Sequence, residues 1–315
     1  MLAPSPAFLR YAKHTQAGVA IIMAMLTLAL AAGLAAIVLT HFSASLEQVS
    51  GRHEQDQAHW LARGAIDWAK NVLSADRRTS NVDHLGEVWA TKVPPTPVEE
   101  GQVSGEIQEL SGHFNINTLA NLDGSPNAGQ LAAFERLLNL VGLSRQASGL
   151  ARAAQNQIIT RATPASNNPE TAPKATTSSA QGPLLSIESL LNLPGYDLAM
   201  LERLRPFITA VPDVNSPLNV NTAPAEVLSA QIASLNIENA RKLVLQRQKA
   251  WFLDPQDFAR RFKELTGQDA PSNLSTTSRY FLATGRAKFG LASVRMEALL
   301  DRKQNWATLV WQRYL

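Results

Sequence analysis

The segment between Lys13 and Glu47 constrains this chain more than any other, because it contains no Asp, Glu, Lys or Arg. From Val19 to Leu39 it is almost wholly apolar. As an α-helix that stretch would rise roughly 31 Å at about 1.5 Å per residue, against a bilayer core of about 30 Å. A membrane-spanning helix over 19–40 is therefore expected. Arg10 and Lys13 precede the span, whereas Glu47, Glu54 and Asp56 follow it. The positive-inside rule keeps residues 1–18 in the cytoplasm and carries the bulk of the chain across.

An ordinary secretory signal has an apolar region of only about 7 to 15 residues, with its small-residue cleavage cue behind it. Here the span is longer and the small residue, Gly18, stands in front. That order resembles the type IV prepilin class, in which a dedicated peptidase cuts after the glycine and leaves the helix on the mature protein. The cut would fall between Gly18 and Val19, which makes 1–18 a leader peptide. An uncleaved signal anchor is the alternative. With 315 residues the chain has room for two core-bearing units beyond the anchor. It has no cysteine, so disulfides, thiolate catalysis and cysteine metal sites are excluded. A net charge of +3 is too small to demand a nucleic acid partner.

Phe42, Leu46, Val49, Trp60, Leu61, Ala65, Trp68 and Val72 recur at helical steps, which predicts one long helix continuing over 41–78. Its last turns are expected to bury Trp60, Trp68 and Val72. It should stop near Ser74 to Arg78, because the cap and turn formers from Asp76 to Asn81 break the apolar period. Pro94, Pro95 and Pro97 rule out a helix there, and Gln102 to Leu110 alternates like a strand, so 79–111 reads as the start of a sheet region. Arg279 to Phe289, Leu291 to Asp301 and Trp306 to Arg313 alternate better, with turn formers between them, and 276–315 is expected to supply antiparallel strands of the same sheet. One early strand and three late ones imply a sheet opened by an insertion over 112–275.

The insertion is predicted to be helical and internally duplicated. Phe114-Asn115-Ile116-Asn117-Thr118 recurs as Leu218-Asn219-Val220-Asn221-Thr222, each copy followed by a pair of helices. Leu131 to Leu140 and Ser148 to Ile159 form the first pair. In the second, Thr222 is expected to cap a helix with Pro224 in its first turn, and Ala240 to Arg247 follows. Between the copies, the Ala-, Thr-, Ser-, Asn- and Pro-rich tract 162–183 holds too little apolar surface to offset its ordering entropy and reads as a disordered loop.

The leader and post-glycine helix, both Asn motifs, Leu190-Leu191-Asn192-Leu193-Pro194-Gly195-Tyr196 and Asn219-Val220-Asn221-Thr222-Ala223-Pro224-Ala225-Glu226-Val227-Leu228 together resemble general secretion pathway protein K. That family comprises the largest minor pseudopilins of bacterial type II secretion systems. The resemblance covers essentially the whole chain. It implies an α+β pseudopilin fold: a long N-terminal transmembrane helix, an antiparallel sheet, and an inserted all-α domain of two helix-hairpin-helix or SAM-like repeats. It further implies a single-pass protein of the bacterial inner membrane with its N-terminus cytoplasmic and its C-terminal domain periplasmic, cut by prepilin peptidase and methylated at Val19. The implied partners are the minor pseudopilins I and J at the tip of the pseudopilus, with the major pseudopilin and other type II secretion components.

Most pilin-like subunits carry a glutamate at the fifth mature residue, which can neutralise the amine of the next subunit's N-terminus inside the bilayer. Here that position is Met23. A charge in lipid costs several kcal/mol unless paired, so a subunit with no neighbour ahead of it does better without the carboxylate. Relatives of this family often bind calcium through an acid-rich loop. Calcium takes about 6 to 8 oxygen ligands, commonly several carboxylates, yet Arg152 to Pro183 contains only Glu170. Calcium is therefore not carried over, and no cofactor or metal site is expected; Asn121, Asp123 and Gly124 read as a turn.

The rival class is a membrane-anchored helix-hairpin-helix DNA-binding protein of the competence type. Such hairpins hold phosphate on backbone N–H groups between two glycines. Gly195-Tyr196 is followed by Asp197, and Ser234-Leu235-Asn236-Ile237 has no glycine, so no nucleic acid partner is expected. Arg241, Lys242, Arg247 and Lys249 read as a solvated helix face. No nucleotide-binding glycine motif, nucleophile elbow or zinc-protease motif is present, and His53 and His59 read as helix surface. An enzyme is not expected.

Overall fold

The computed structural model describes residues 17–162 and 182–315. The leader cations Arg10 and Lys13, and nearly all of the 162–183 tract expected as a disordered loop, lie outside the described residues. The chain divides into two units, one ending at Gln57 and the other comprising Ala58–Leu315. Helix α1 (Ala17–Thr79) contributes to both.

In the first unit α1 is exposed and almost wholly apolar from Val19 to Leu39, and it is long and apolar enough to cross a membrane. Its hydroxyls are compatible with lipid because they bond back to the helix. Thr27 Oγ1 donates to the Ala24 carbonyl at 2.9 Å and Thr40 Oγ1 to that of Ile37 at 2.8 Å.

The second unit is built on a five-stranded sheet among the described residues, entirely antiparallel, with early and late strands interleaved. Two early strands, β1 (Val93–Val98) and β2 (Gly101–Glu109), form a hairpin at one side. Three late strands, which follow the insertion and are therefore β7 (Tyr280–Phe289), β8 (Ala292–Asp301) and β9 (Thr308–Tyr314), complete the order β1-β2-β7-β8-β9. The sequence gives one early strand because three prolines mask β1. At a sheet edge the missing N–H faces outward and costs no ladder bond, and a register shift between Val93 and Thr96 absorbs the rest.

The last turns of α1 cover one face of this sheet, but with a different stripe from the expected one. Ala58, Ala62, Ile66, Ala69 and Leu73 are buried against Ile107, Phe281, Ala283, Ala287, Met296, Ala298 and Leu300. Trp60 and Trp68 stay 67% and 45% exposed and Val72 is half-buried. The reason is distance. A Cβ built on Gly285 would lie 2.8 Å from the Ala62 carbonyl oxygen and 3.0 Å from Ala65 Cβ, so the helix backbone sits almost on the strand. Around Gly285 only small side chains such as Ala62 and Ala65 fit, and a tryptophan turned inward there would hold the helix away. Truncating Ile66 or Leu73 to alanine in this interface would cost about 2–5 kcal/mol.

Between β2 and β7 lies the insertion, which has its own core centred on Phe114, Phe134, Leu190, Leu228, Phe252 and Phe258. Its first half runs β3 (Phe114–Asn115), α2 (Ala128–Leu140), α3 (Ala147–Ala162), α4 (Leu198–Leu204) and β4 (Ile208–Thr209). Its second half runs β5 (Leu218–Asn219), α5 (Ala225–Gln231), α6 (Ile237–Lys249), α7 (Pro255–Thr266) and β6 (Leu274–Ser275). It is helical apart from two two-residue parallel pairings, β3 with β4 and β5 with β6. The duplication is thus structural: each half opens on its Asn motif and closes on a strand paired with it. Asn127, Asp197, Asn236 and Asp254 cap α2, α4, α6 and α7 through their side-chain oxygens. Thr222 makes no cap. α5 starts at Ala225 behind Pro224 with no side-chain cap bond, and Thr222 Oγ1 instead reaches the Asn219 carbonyl at 3.4 Å.

Candidate functional site

The residues proposed for processing lie together at the start of α1. Gly18 is in its first turn and Val19 follows it, 64% exposed. Met23, one helical turn further on and 57% exposed, shares a face with Val19. An apolar methionine therefore stands one turn from the residue that would carry the mature amine.

The second unit holds a buried polar junction where the insertion meets the sheet. The two Asn motifs use one local device. In each, the first asparagine accepts from the N–H two residues on, 3.2 Å for Asn115 to Asn117 and 2.9 Å for Asn219 to Asn221. In each, the second asparagine grips both backbone groups of a distant residue as a strand would. Asn117 accepts from Leu184 N and donates to Leu184 O, both at 2.8 Å. Asn221 does the same with Phe252, at 2.8 and 2.9 Å. Nδ2 of the first asparagine sets the copies apart. That of Asn115 donates to Asp213 O at 2.9 Å, within the insertion, whereas that of Asn219 reaches Ser278 Oγ at 2.6 Å and Asp83 O at 3.1 Å, outside it.

Asp83 belongs to a buried ion cluster. The Arg302 guanidinium, 1% exposed, bonds Asp83 and also Asp76 at 2.8 Å, and Asp83 Oδ2 accepts from Ser278 N at 2.7 Å. Asp76, Asp83 and Glu87 bring three carboxylate oxygens within 4.8 Å of one another, the one grouping of this kind among the described residues. Its chemistry is that of an ion-pair network. Arg302 supplies the charge, and Glu87 Oε2 is taken by Trp89 Nε1 at 2.7 Å and His84 N at 3.0 Å. Burial, with the Glu87 charge adding to it, pushes Asp76 up to about 6 although Arg302 pulls the other way. Glu109, at the end of β2, is fully enclosed and pushed up by burial, against hydrogen bonds from Ser278, Thr222 and the backbone of Ser111 and Gly112. A Cβ on Gly112 would come within 2.8 Å of Ala223 N, so the first residue of the insertion touches the second Asn motif. Sequence reasoning found the asparagines but missed Asp83, Glu109 and Arg302. The asparagine spacing was the local signal; nothing local marks the arginine, 219 residues from Asp83.

The hairpins lack phosphate-binding geometry. Gly195 has φ +89°, but Asp197 caps α4 by accepting from Met200 N at 2.7 Å, so a carboxylate occupies the helix terminus a phosphate would need. Asn236 caps α6 in the same way. Arg247, expected on a solvated face, turns inward: it donates to Val220 O at 2.6 Å, and burial lowers it to about 10, opposed by the Glu109 charge. Arg241 pairs with Glu238 on its own helix at 3.1 Å. Asn121, Asp123 and Gly124 form a turn, with Asp123 Oδ1 accepting from Ser125 N at 2.9 Å.

Comparison with known proteins bears on the same regions. Residues 112–213 match one family model and residues 218–277 another, both described as Type II secretion system (T2SS), protein K. Between them they cover just over half of the chain, and the division falls between the two structural halves of the insertion. The chain is 27% identical to Type II secretion system protein K of Klebsiella pneumoniae, over 96% of this chain and 97% of that relative. It is 26% identical to the protein of that name from Pseudomonas aeruginosa, over 88% of this chain and 86% of the relative. A chain in the crystal structure of the GspK-GspI-GspJ complex from the enterotoxigenic Escherichia coli Type 2 Secretion System superposes with a TM-score of 0.63 at 18% identity, covering 85% of this chain and 99% of that one.

Proposed function

Because the chain belongs to the type II secretion system protein K family, we propose that it is the minor pseudopilin at the leading end of a periplasmic pseudopilus. In this reading prepilin peptidase cuts between Gly18 and Val19, the new amine is methylated, and α1 stays in the inner membrane with the second unit in the periplasm. Its partners are minor pseudopilins of the I and J types, as in the solved GspK-GspI-GspJ complex, with the major pseudopilin behind them. Its role is to start the fibre and support export, without catalysis, cofactor or calcium.

The observation that carries the leading position is the insertion. An ordinary pilin head is a helix on a sheet, and here a second core-bearing body interrupts the sheet between β2 and β7. Stacking another subunit beyond it would meet that body. Met23 supports the same position, since it leaves no carboxylate to receive an amine from a subunit ahead. The DNA-binding alternative loses support from Asp197 and Asn236, which fill the helix termini a phosphate would use.

Two measurements test the reading. Mass spectrometry of the protein from native membranes should find a methylated N-terminus at Val19; unaltered full-length chain in cells with active peptidase would defeat it. Labelled antibody should mark one end of the pseudopilus, and label along the shaft would rule the leading position out.

A further inference from the structure

The duplication leaves a cavity between its two copies. It holds about 550 Å³, within the range of small-molecule sites, about 300–1,000 Å³. Both copies line it, the first through Thr118 and Gln130 of α2, the second through Gln231 at the end of α5 and Leu274 of β6. The two glutamines meet in this lining. Gln130 Nε2 donates to Gln231 Oε1 at 3.3 Å and Gln231 Nε2 to Gln130 Oε1 at 3.1 Å. An amide nitrogen carries two hydrogens, so the exchange leaves each glutamine one N–H that no described residue takes.

None of the described side chains lining the cavity is charged. Its one titratable group, His113, is held down at about 4 by burial, so the imidazole is neutral near pH 7. His113 Nδ1 and the Ser216 hydroxyl are enclosed and have no partner among the described residues. Each can therefore turn to a ligand without losing a hydrogen bond. Asn215, Ser272 and Asn273 line the cavity from exposed positions. A charged ligand would give up its hydration for no counter-charge, and a purely apolar one would strip water from these amides and hydroxyls without replacing it. The lining suits an occupant that is neutral and dense in groups that both donate and accept.

We propose that the cavity between the two copies binds a neutral glycan built of N-acetylated amino sugars. Sugar hydroxyls donate and accept at once, as the facing side-chain amides and hydroxyls do. An acetamido group would meet the spare N–H groups of Gln130 and Gln231 with its carbonyl and lay its methyl on aliphatic side chains such as Val214 and Ile232. An extended peptide is less suited. It would need a row of main-chain N–H and C=O groups, and Pro217 and Pro271 break the backbone of this lining with residues that have no N–H. The site goes beyond the pseudopilin reading and does not depend on the leading position. Two sources share this chemistry: free oligomers of N-acetylglucosamine, and cell-wall strands in which that sugar alternates with an acidic one.

Full-length protein in detergent would be titrated by calorimetry with the tetramer of N-acetylglucosamine and, separately, with cell-wall glycan strands freed of their peptides. The tetramer is expected to bind, with an affinity unchanged between about 50 and 500 mM salt because no ion pair forms. Binding of both probes would make the cell wall a source, and binding of the tetramer alone would assign the site to free glycan; either supports the site. The glucose tetramer, which lacks the acetamido group, should bind at least about tenfold more weakly. A Gln130→Leu, Gln231→Leu double variant should lose affinity by a similar factor. Asn273→Trp, at an exposed position, should fill the cavity and block binding while keeping the melting temperature. No binding of the tetramer at about 10 mM, equal affinity for the glucose tetramer, undiminished binding by Asn273→Trp, or tighter binding of an uncharged polar tetrapeptide blocked at both ends would each overturn the proposal. The pseudopilin reading would survive any of these, because N-terminal processing and labelling of the fibre end test it separately.

Discussion

The two Asn motifs have the same local geometry and opposite reach. Asn115 and Asn117 bond only within the insertion, to Val211, Asp213 and Leu184, and close its first half on itself. Asn221 does likewise for the second half through Phe252, but Asn219 turns outward to Asp83 and Ser278. A duplicated unit has thus kept its internal clasp in both copies and turned one copy into a bolt. The lesson is that an inserted domain needs more than a core of its own. Its position is set by a few buried polar groups, each costly to leave unpaired, which tolerate one arrangement.

The largest effect should follow from the residue behind the bolt. Arg302→Ala leaves Asp83 and Asp76 without their counter-charge in a site where arginine and Asp83 are 1% and 2% exposed. Losing one partner of such a buried pair costs about 3–5 kcal/mol. Denaturant unfolding of the detergent-solubilised protein should show that loss, and a change below about 1 kcal/mol would mean the cluster does not hold the junction. Next comes Gly112→Ala. The new methyl would meet the backbone of Thr222 and Ala223, so it should cost about 1–3 kcal/mol by overpacking. An unchanged midpoint would mean the two copies are not in forced contact there.

A double-mutant cycle sharpens the contrast between the copies directly. Asn219→Ala and Ser278→Ala share a 2.6 Å bond and should couple by about 0.5–3 kcal/mol, whereas Asn115→Ala and Ser278→Ala should add within about 0.5 kcal/mol. Equal coupling in both cycles would erase the distinction between clasp and bolt.

Much of this architecture is legible in the sequence where the signal is local. The apolar span, the stop of α1 at Thr79 and the alternation of β7, β8 and β9 follow from periodicity over a few residues. The asparagine repeat is visible because its first bond spans only two residues. β1 is hidden because its prolines argue against a strand unless the strand is known to be an edge. The buried face of α1 is misread for a related reason: periodicity finds Trp60 and Trp68, yet the face is chosen by how closely Gly285 lets the helix approach. Asp83 and Arg302 are illegible, because a charge becomes a core residue only once the insertion has closed over it.

The smallest predicted effect is on pH dependence, and it too separates the copies. In the first copy the asparagine amides bond backbone groups of Asp213, Leu184 and Val211. The second adjoins Asp76, which burial and the charges of Glu87 and Asp83 raise from 3.8 to about 6 against the pull of Arg302. A carboxyl raised in the folded state contributes stability that is fully present below its unfolded value and lost as pH rises through its folded one. Asp76 should therefore favour the fold near pH 4 and progressively less by pH 7. Asp76→Asn keeps the neutral form throughout, so its melting temperature relative to the unmodified protein should rise between pH 4 and pH 7. The shift should be modest, because Asp76 is only partly enclosed and solvent screens it. Asn115→Ala should show no such drift. If the Asp76→Asn difference instead fell with pH, the attraction of Arg302 would outweigh burial, and the junction would be held by charge rather than in spite of it.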